Sequence, residues 1–240
     1  MKLKIMTFNI QHGRNHNFSG DVIDLDAMVQ NVREQQPDIC GLNEVRKGNN
    51  PDHKSGYSDQ TAYFAENLGY NSYFANAIIK ENYIYGNAIL SKTPMLKCEK
   101  IMIPDVTERV GNRYESRCII KSEYDFDGNK LTVLNSHFGL GVGEDVNAVD
   151  AVISLLDDIE GTVVLMGDFN KTPDHEQIKR LSSVFTDAHL SVGKAELTFP
   201  SNAPEMRIDY IFVRNAKVIN AETVKKIVSD HYAITAEIEI

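Results

Sequence analysis

Short β-forming runs punctuate this chain from end to end, and several are too apolar to leave either face in water. They fall at 2–10, 39–45, 87–90, 117–124, 130–137, 162–167, 208–213, 217–224 and 232–240. A half-exposed strand alternates apolar with polar residues, whereas an unbroken stretch such as VVLMG suits a strand covered on both faces. Asp127-Gly128-Asn129, between two such runs, is a strong hairpin turn signal. Helical stripes lie between the strands. Leu25, Met28, Val29 and Val32 recur at one-face spacing after a capping Asp24, and Pro37 closes the helix. Val149, Val152, Ile153 and Leu156 repeat the stripe, with Asp145 and Asn147 near its start, and a third helix is expected at 58–68, ended by Gly69. All three stripes read as core-facing scaffold. Many strands, few helices and short connections predict two packed sheets with helices outside them.

The 240 residues contain no low-complexity linker, repeat or compositional break, so one domain over 1–240 is expected. The formal net charge of −9 argues against a broadly basic nucleic-acid face. Carboxylates gathered around a cation would look excessive until the ion is counted. Cys40, Cys98 and Cys118 lie far apart in apolar runs, which predicts buried free thiols rather than disulfides or a zinc site. The opening MKLKIMTFNI turns polar at Gln11, too soon for a signal peptide, and no run approaches membrane-spanning length. A cytoplasmic protein with no membrane contact is the expectation.

Polar residues recur where the most apolar strands end. TFNI places Asn9 there, GLNEV places Asn43 and Glu44, and LNSHFG places Asn135 and His137. LMGDFN contributes Asp168 and Asn170, RIDYIF contributes Asp209, and SDH puts Asp230 and His231 before the last strand. Any one of these could be a turn or helix cap. Six tips built only from Asn, Asp, Glu and His favour a site.

In order, TFNI, NEV, GNAILSK, NSHF, GDFN, the TFP…RIDYIF stretch and SDHYAI resemble the motifs of the endonuclease/exonuclease/phosphatase superfamily, from Asn9 to His231. The resemblance implies a four-layer α/β/β/α sandwich of two mixed central sheets flanked by helices, and a divalent-metal-dependent phosphoester hydrolase. Glu44, with Asp230 and Asn9, would ligate magnesium or manganese, hard ions that take oxygen donors. Asp168 would orient or deprotonate the attacking water, and Asn170 would hold the same region. His231, oriented by Asp209, would stabilise a phosphoryl oxygen, with its pKa raised by that carboxylate. His137 would be a second donor. Asn87 in GNAIL and Arg117 in ESRCII would face substrate.

Two positions depart from the resemblance. Asn43 stands where many members carry Gln before the metal-binding Glu, and Gln11 stands where the nuclease branch often carries an acid, which favours a one-metal mechanism. The glycines of GLGVGED lack the Lys-Ser/Thr of a nucleotide loop and read as a mobile loop near the site. The charges of Arg46-Lys47 and the following GNNPDHKSG, and of 108–117, read by default as solvated loops. The absence of Trp speaks against inositol-polyphosphate phosphatases, and the charge against DNA-repair members. A phosphodiesterase or nuclease acting on nucleic acid or a small phosphoester fits best. A phosphomonoesterase on a small metabolite is the alternative, and a non-catalytic binding module of the same fold a remote one.

Overall fold

A computed structural model describes residues 1–48, 57–111 and 113–240. Much of the GNNPDHKSG stretch lies outside the described residues. The strands are β1 (Lys2–Asn9), β2 (Ile39–Gly48), β3 (Asn71–Ile79), β4 (Tyr83–Ser91), β5 (Lys97–Met102), β6 (Cys118–Phe126), β7 (Asn129–Ser136), β8 (Thr162–Asp168), β9 (Thr186–Asp187), β10 (Asp209–Arg214), β11 (Lys217–Val224) and β12 (Ala233–Glu239). The helices are α1 (Leu25–Gln35), α2 (Gln60–Leu68), α3 (Glu144–Leu155), α4 (Glu176–Ser182) and α5 (Ala188–Ser191).

The strands form two six-stranded sheets, ordered β11-β12-β1-β2-β4-β3 and β5-β6-β7-β8-β10-β9. Both are mixed: β1–β2 and β7–β8 run parallel and the other pairs antiparallel. Two-residue periodicity decides which side chains meet. Ile5 of β1, Ile39 of β2, Val133 of β7, Val164 of β8 and Ile211 of β10 point between the sheets and form the central core. Their neighbours point outward: Met6, Phe8 and Leu42 pack with Met28 and Val32 of α1, while Leu134, Leu165 and Phe212 pack with Val149 and Val152 of α3 and Ile178 of α4. The expected α/β/β/α sandwich is therefore the fold.

The local signals behave as their chemistry dictates. Asp24 accepts from Ala27 N at 3.0 Å and caps α1, and Gln36 ends the helix in the left-handed region. Asp127 and Gly128 both take positive φ, as a two-residue hairpin turn requires, and Phe126 pairs with Asn129 across it. Cys40 and Cys118 are buried free thiols; Cys98, expected buried, is only partly so because β5 is an edge strand. No helix among the described residues is long and apolar enough to cross a membrane.

Candidate active site

The inward phase of the core strands continues into polar residues at one end. Asn9 follows Ile5 on one face of β1, Asn43 follows Ile39 on β2, Asn135 follows Val133 on β7, and Asp168 follows Val164 on β8. Three amides close the core beneath the site. Asn43 Nδ2 donates to Asn87 Oδ1 at 3.0 Å and to Asn135 Oδ1 at 3.4 Å, and Asn43 Oδ1 accepts from Asp168 N at 3.0 Å. Asn135 Nδ2 donates to Leu42 O and Ala88 O, bridging the sheets. The sheets come so close here that a Cβ on Gly41 would stand 2.7 Å from Asn135 Oδ1. Asn87, expected to meet substrate, is instead spent in this network and on Cys118 O, and it is buried.

Glu44 reaches the surface because β2 bulges. Leu42 pairs with Ala88 and Val45 with Gly86, so two residues oppose Asn87 alone, and Glu44 takes φ 59°. Such a bulge re-aims a side chain next to a site, and positive φ in a non-glycine residue is strain that the surroundings must hold. Glu44 is thereby turned into a cleft of about 1110 Å³ that it shares with His137, Asp168, Asn170, Asp230 and His231. Asn170 also takes positive φ, at 53°, which Asn tolerates, and its N–H donates to Asp168 Oδ1 at 2.9 Å.

Asp168 and His231 are the centre of the arrangement. Asp168 Oδ2 accepts from Asn9 Nδ2 at 3.0 Å and lies 3.6 Å from His231 Nε2. His231 Nδ1 sits 2.9 Å from Asp209 Oδ2, and the Phe199 ring packs 4.7 Å from the imidazole. Burial works to lower the His231 pKa, but the Asp209 and Asp168 carboxylates overturn that and raise it to about 10. Burial raises Asp168, and the charge on Asp209 adds to this, while His231, Asn9 and the Asn170 N–H oppose it. The proton shared by this pair rests on His231.

His137 is different. Its Nδ1 contacts Arg117 Nη1 at 3.1 Å and its Nε2 contacts Asn170 Nδ2 at 2.9 Å. Burial, then Arg117 and His231, hold its pKa well below 6.5, so this imidazole is neutral. Arg117 faces the cleft and pairs with Glu115 at 3.0 Å.

One trio of metal-ligand types converges within 4.8 Å among the described residues: Asp168, Asp209 and His231. A protonated imidazole cannot ligate, and Asp209 Oδ2 is engaged with Nδ1, so the trio reads as a proton relay. Hard-cation donors stand beside it. Burial raises the Glu44 pKa, and Asp230 raises it further by repulsion. A divalent cation relieves both effects, so this donor set fits magnesium or manganese. Asn9, expected as a third ligand, presents its amide nitrogen to Glu44 Oε1 at 3.1 Å and turns its oxygen to Gln11 N. As oriented it brackets the two carboxylates from opposite sheets. Gln11 holds Asp230 Oδ2 at 2.7 Å, and His12 lies 3.5 Å from Glu44 Oε2. From sequence Gln11 stood out only as the replacement of an acid, and His12 not at all, because nothing local distinguishes it from loop polarity.

The comparisons agree with this fold. Uncharacterized protein YbhP of Escherichia coli is 29% identical over 255 residues, covering 99% of this chain and 96% of the relative. An endonuclease/exonuclease/phosphatase structure from Beutenbergia cavernae superposes with TM-score 0.80 at 22% identity, covering 100% of this chain and 72% of that one. A mannosyl-6-phosphatase structure from Bacteroides thetaiotaomicron gives TM-score 0.78 at 19% identity, covering 99% of this chain and 100% of that one. The profile of the Endonuclease/Exonuclease/phosphatase family matches residues 6–231, nearly the whole chain. With that match and the sandwich fold together, the chain belongs to the endonuclease/exonuclease/phosphatase family.

Proposed function

We propose that the chain is a divalent-metal-dependent phosphoester hydrolase of phosphodiesterase or nuclease type, its 1–240 span working as one catalytic domain. The observation that carries this reading is the Asp209–His231–Asp168 alignment opening on the same cleft as Glu44 and Asp230. Glu44 and Asp230 would hold magnesium, with manganese an equivalent. When bound, the ion would neutralise phosphate charge and polarise the phosphorus toward attack.

The chain's own groups supply the remaining steps. Asp168 accepts a proton from the attacking water through its carboxylate, which Asn9 and the Asn170 N–H hold in place. Its raised pKa makes it a stronger base than an exposed carboxylate. His231, kept protonated by Asp209, donates from Nε2 to a non-bridging phosphoryl oxygen, where charge accumulates. His137 and Asn170 hold each other beside Asp168, and Arg117, in contact with His137 Nδ1, brings a cation to the same part of the cleft.

A second reading is phosphomonoester hydrolysis on a small metabolite, favoured by a cleft large enough to enclose one. The assay that separates the two uses bis-para-nitrophenyl phosphate, para-nitrophenyl phosphate, plasmid DNA and RNA, each with chelator and then with magnesium or manganese restored. Metal-rescued diester cleavage that disappears in Asp168→Asn supports the first reading; monoester cleavage alone supports the second. Undiminished turnover in Asp168→Asn would sink both.

A further inference from the structure

Arg46 is a cleft cation with no part in that mechanism. Arg46 follows Glu44 by two residues on β2, and both side chains line the cleft. Its main-chain N–H donates to Gln60 Oε1 at 2.8 Å, so α2 fixes the strand at this point. Its guanidinium lies 4.8 Å over the Tyr83 ring, which orients the plane. Nε and Nη1 are buried without a hydrogen-bond partner, and among the described residues no carboxylate pairs with the group.

That isolation is unusual for this chain, which carries 34 Asp and Glu against 25 Lys and Arg. Two of the other three cleft arginines are engaged, Arg117 with Glu115 at 3.0 Å and His137, and Arg109 with Asp105 at 3.3 Å, while Arg113 is exposed to solvent. Arginine does not shed its charge, and a half-buried cation with no carboxylate beside it among the described residues gains from an anion. An anion entering the cleft would meet the remaining edge of the guanidinium, at Nη2, and a stacked guanidinium matches the oxygens of phosphate.

We propose that Arg46, backed by Tyr83, is a specificity-determining residue that binds a second phosphate of a compact substrate, about two strand residues, or roughly 7 Å, along from Glu44. This rests on the phosphoester reading above. A polyanion requires a basic stripe. Here Arg109 and Arg117 are paired, Lys80 and Arg113 are exposed, and the net charge is −9, so the match is to one added phosphate.

The test compares the para-nitrophenyl ester of thymidine monophosphate with the same ester carrying a further phosphate on the free sugar hydroxyl. A charge-assisted contact should make wild-type kcat/KM about 10- to 100-fold higher for the second compound. Arg46→Ala should bring that ratio to about one and Arg46→Lys should keep part of it. A ratio unchanged in Arg46→Ala, or an equal loss on both compounds, overturns the proposal. If neither ester turns over with magnesium or manganese, the hydrolase reading fails and binding decides. Calorimetry with thymidine bisphosphate and monophosphate should then show a bisphosphate preference that Arg46→Ala removes, and a preference it leaves intact overturns the assignment. Oligothymidylate competing better with each added nucleotide would overturn the compact-ligand part.

Discussion

Replacing Asn43 with Ala tests whether the amide network beneath the site holds the two sheets together. Two well-formed bonds disappear, Nδ2 to Asn87 Oδ1 and Oδ1 to Asp168 N, both at 3.0 Å. Their partners stay buried, since Asn87 is 3% and Asp168 1% exposed. Leaving a buried polar group unmatched costs about 1–3 kcal/mol, so the pair should cost about 2–6 kcal/mol. Against a total stability of about 5–15 kcal/mol, that is a large fraction. In urea, with a slope near 2 kcal/mol/M, the unfolding midpoint read by circular dichroism should fall by about 1–3 M at unchanged slope. Asn43→Gln, one methylene longer in the same packed space, should cost about 1–3 kcal/mol through overpacking. A midpoint for Asn43→Ala within about 0.3 M of wild type would refute the assignment of a structural role to this network.

Three further outcomes are expected. Asp209→Asn should cut turnover on the order of 100- to 10,000-fold. It should also move the alkaline limb of the pH–rate profile to lower pH, because the carboxylate that raises His231 to about 10 is gone; a limb that stays in place would contradict the relay. Glu44→Gln should weaken magnesium activation, read as a rightward shift of the metal titration, and an unshifted curve would count against Glu44 as a ligand. Burial depresses the His189 pKa below 6.5. The unfolded chain therefore takes that proton first as pH falls: the stability contributed by neutral His189 is whole above 6.5 and drains away below it. His189→Gln should narrow the difference in urea midpoint between about pH 7.5 and about pH 5.5, and an identical difference would refute this.

The buried strands were legible, and of the four edge strands only β11, expected at 217–224, was. β8 is enclosed on both sides, so TVVLMG is a nearly continuous apolar run, while β1 and β7 are buried over most of their length around shorter apolar stretches. β3 and β5 lie at sheet edges with most side chains half-exposed or exposed, so their polarity resembles that of loops. β9 has two residues and α4 seven, too short for any period to register. The polar tips were legible as a set, because carboxylates and imidazoles ending apolar strands violate the pattern around them. Their division of labour was not. Asn9, Asn43, Asn87 and Asn135 are alike in sequence, and only the spacing between sheets separates those under the site from the one between Glu44 and Asp168. Arg46 passed for a loop charge, since nothing in sequence reveals that its partners are missing.

The cleft takes Asn9 and Glu44 from one sheet, and His137, Asp168 and Asp209 from the strands or strand ends of the other. On the proposed function neither half would carry a working fragment of the site, so a chain whose sheets had formed but not docked would be inert. Recovery of turnover during refolding should then report the docking of the two sheets. Strand formation can be followed by backbone signals while turnover stays at zero, and the interval between the two measures how long the halves take to find their register.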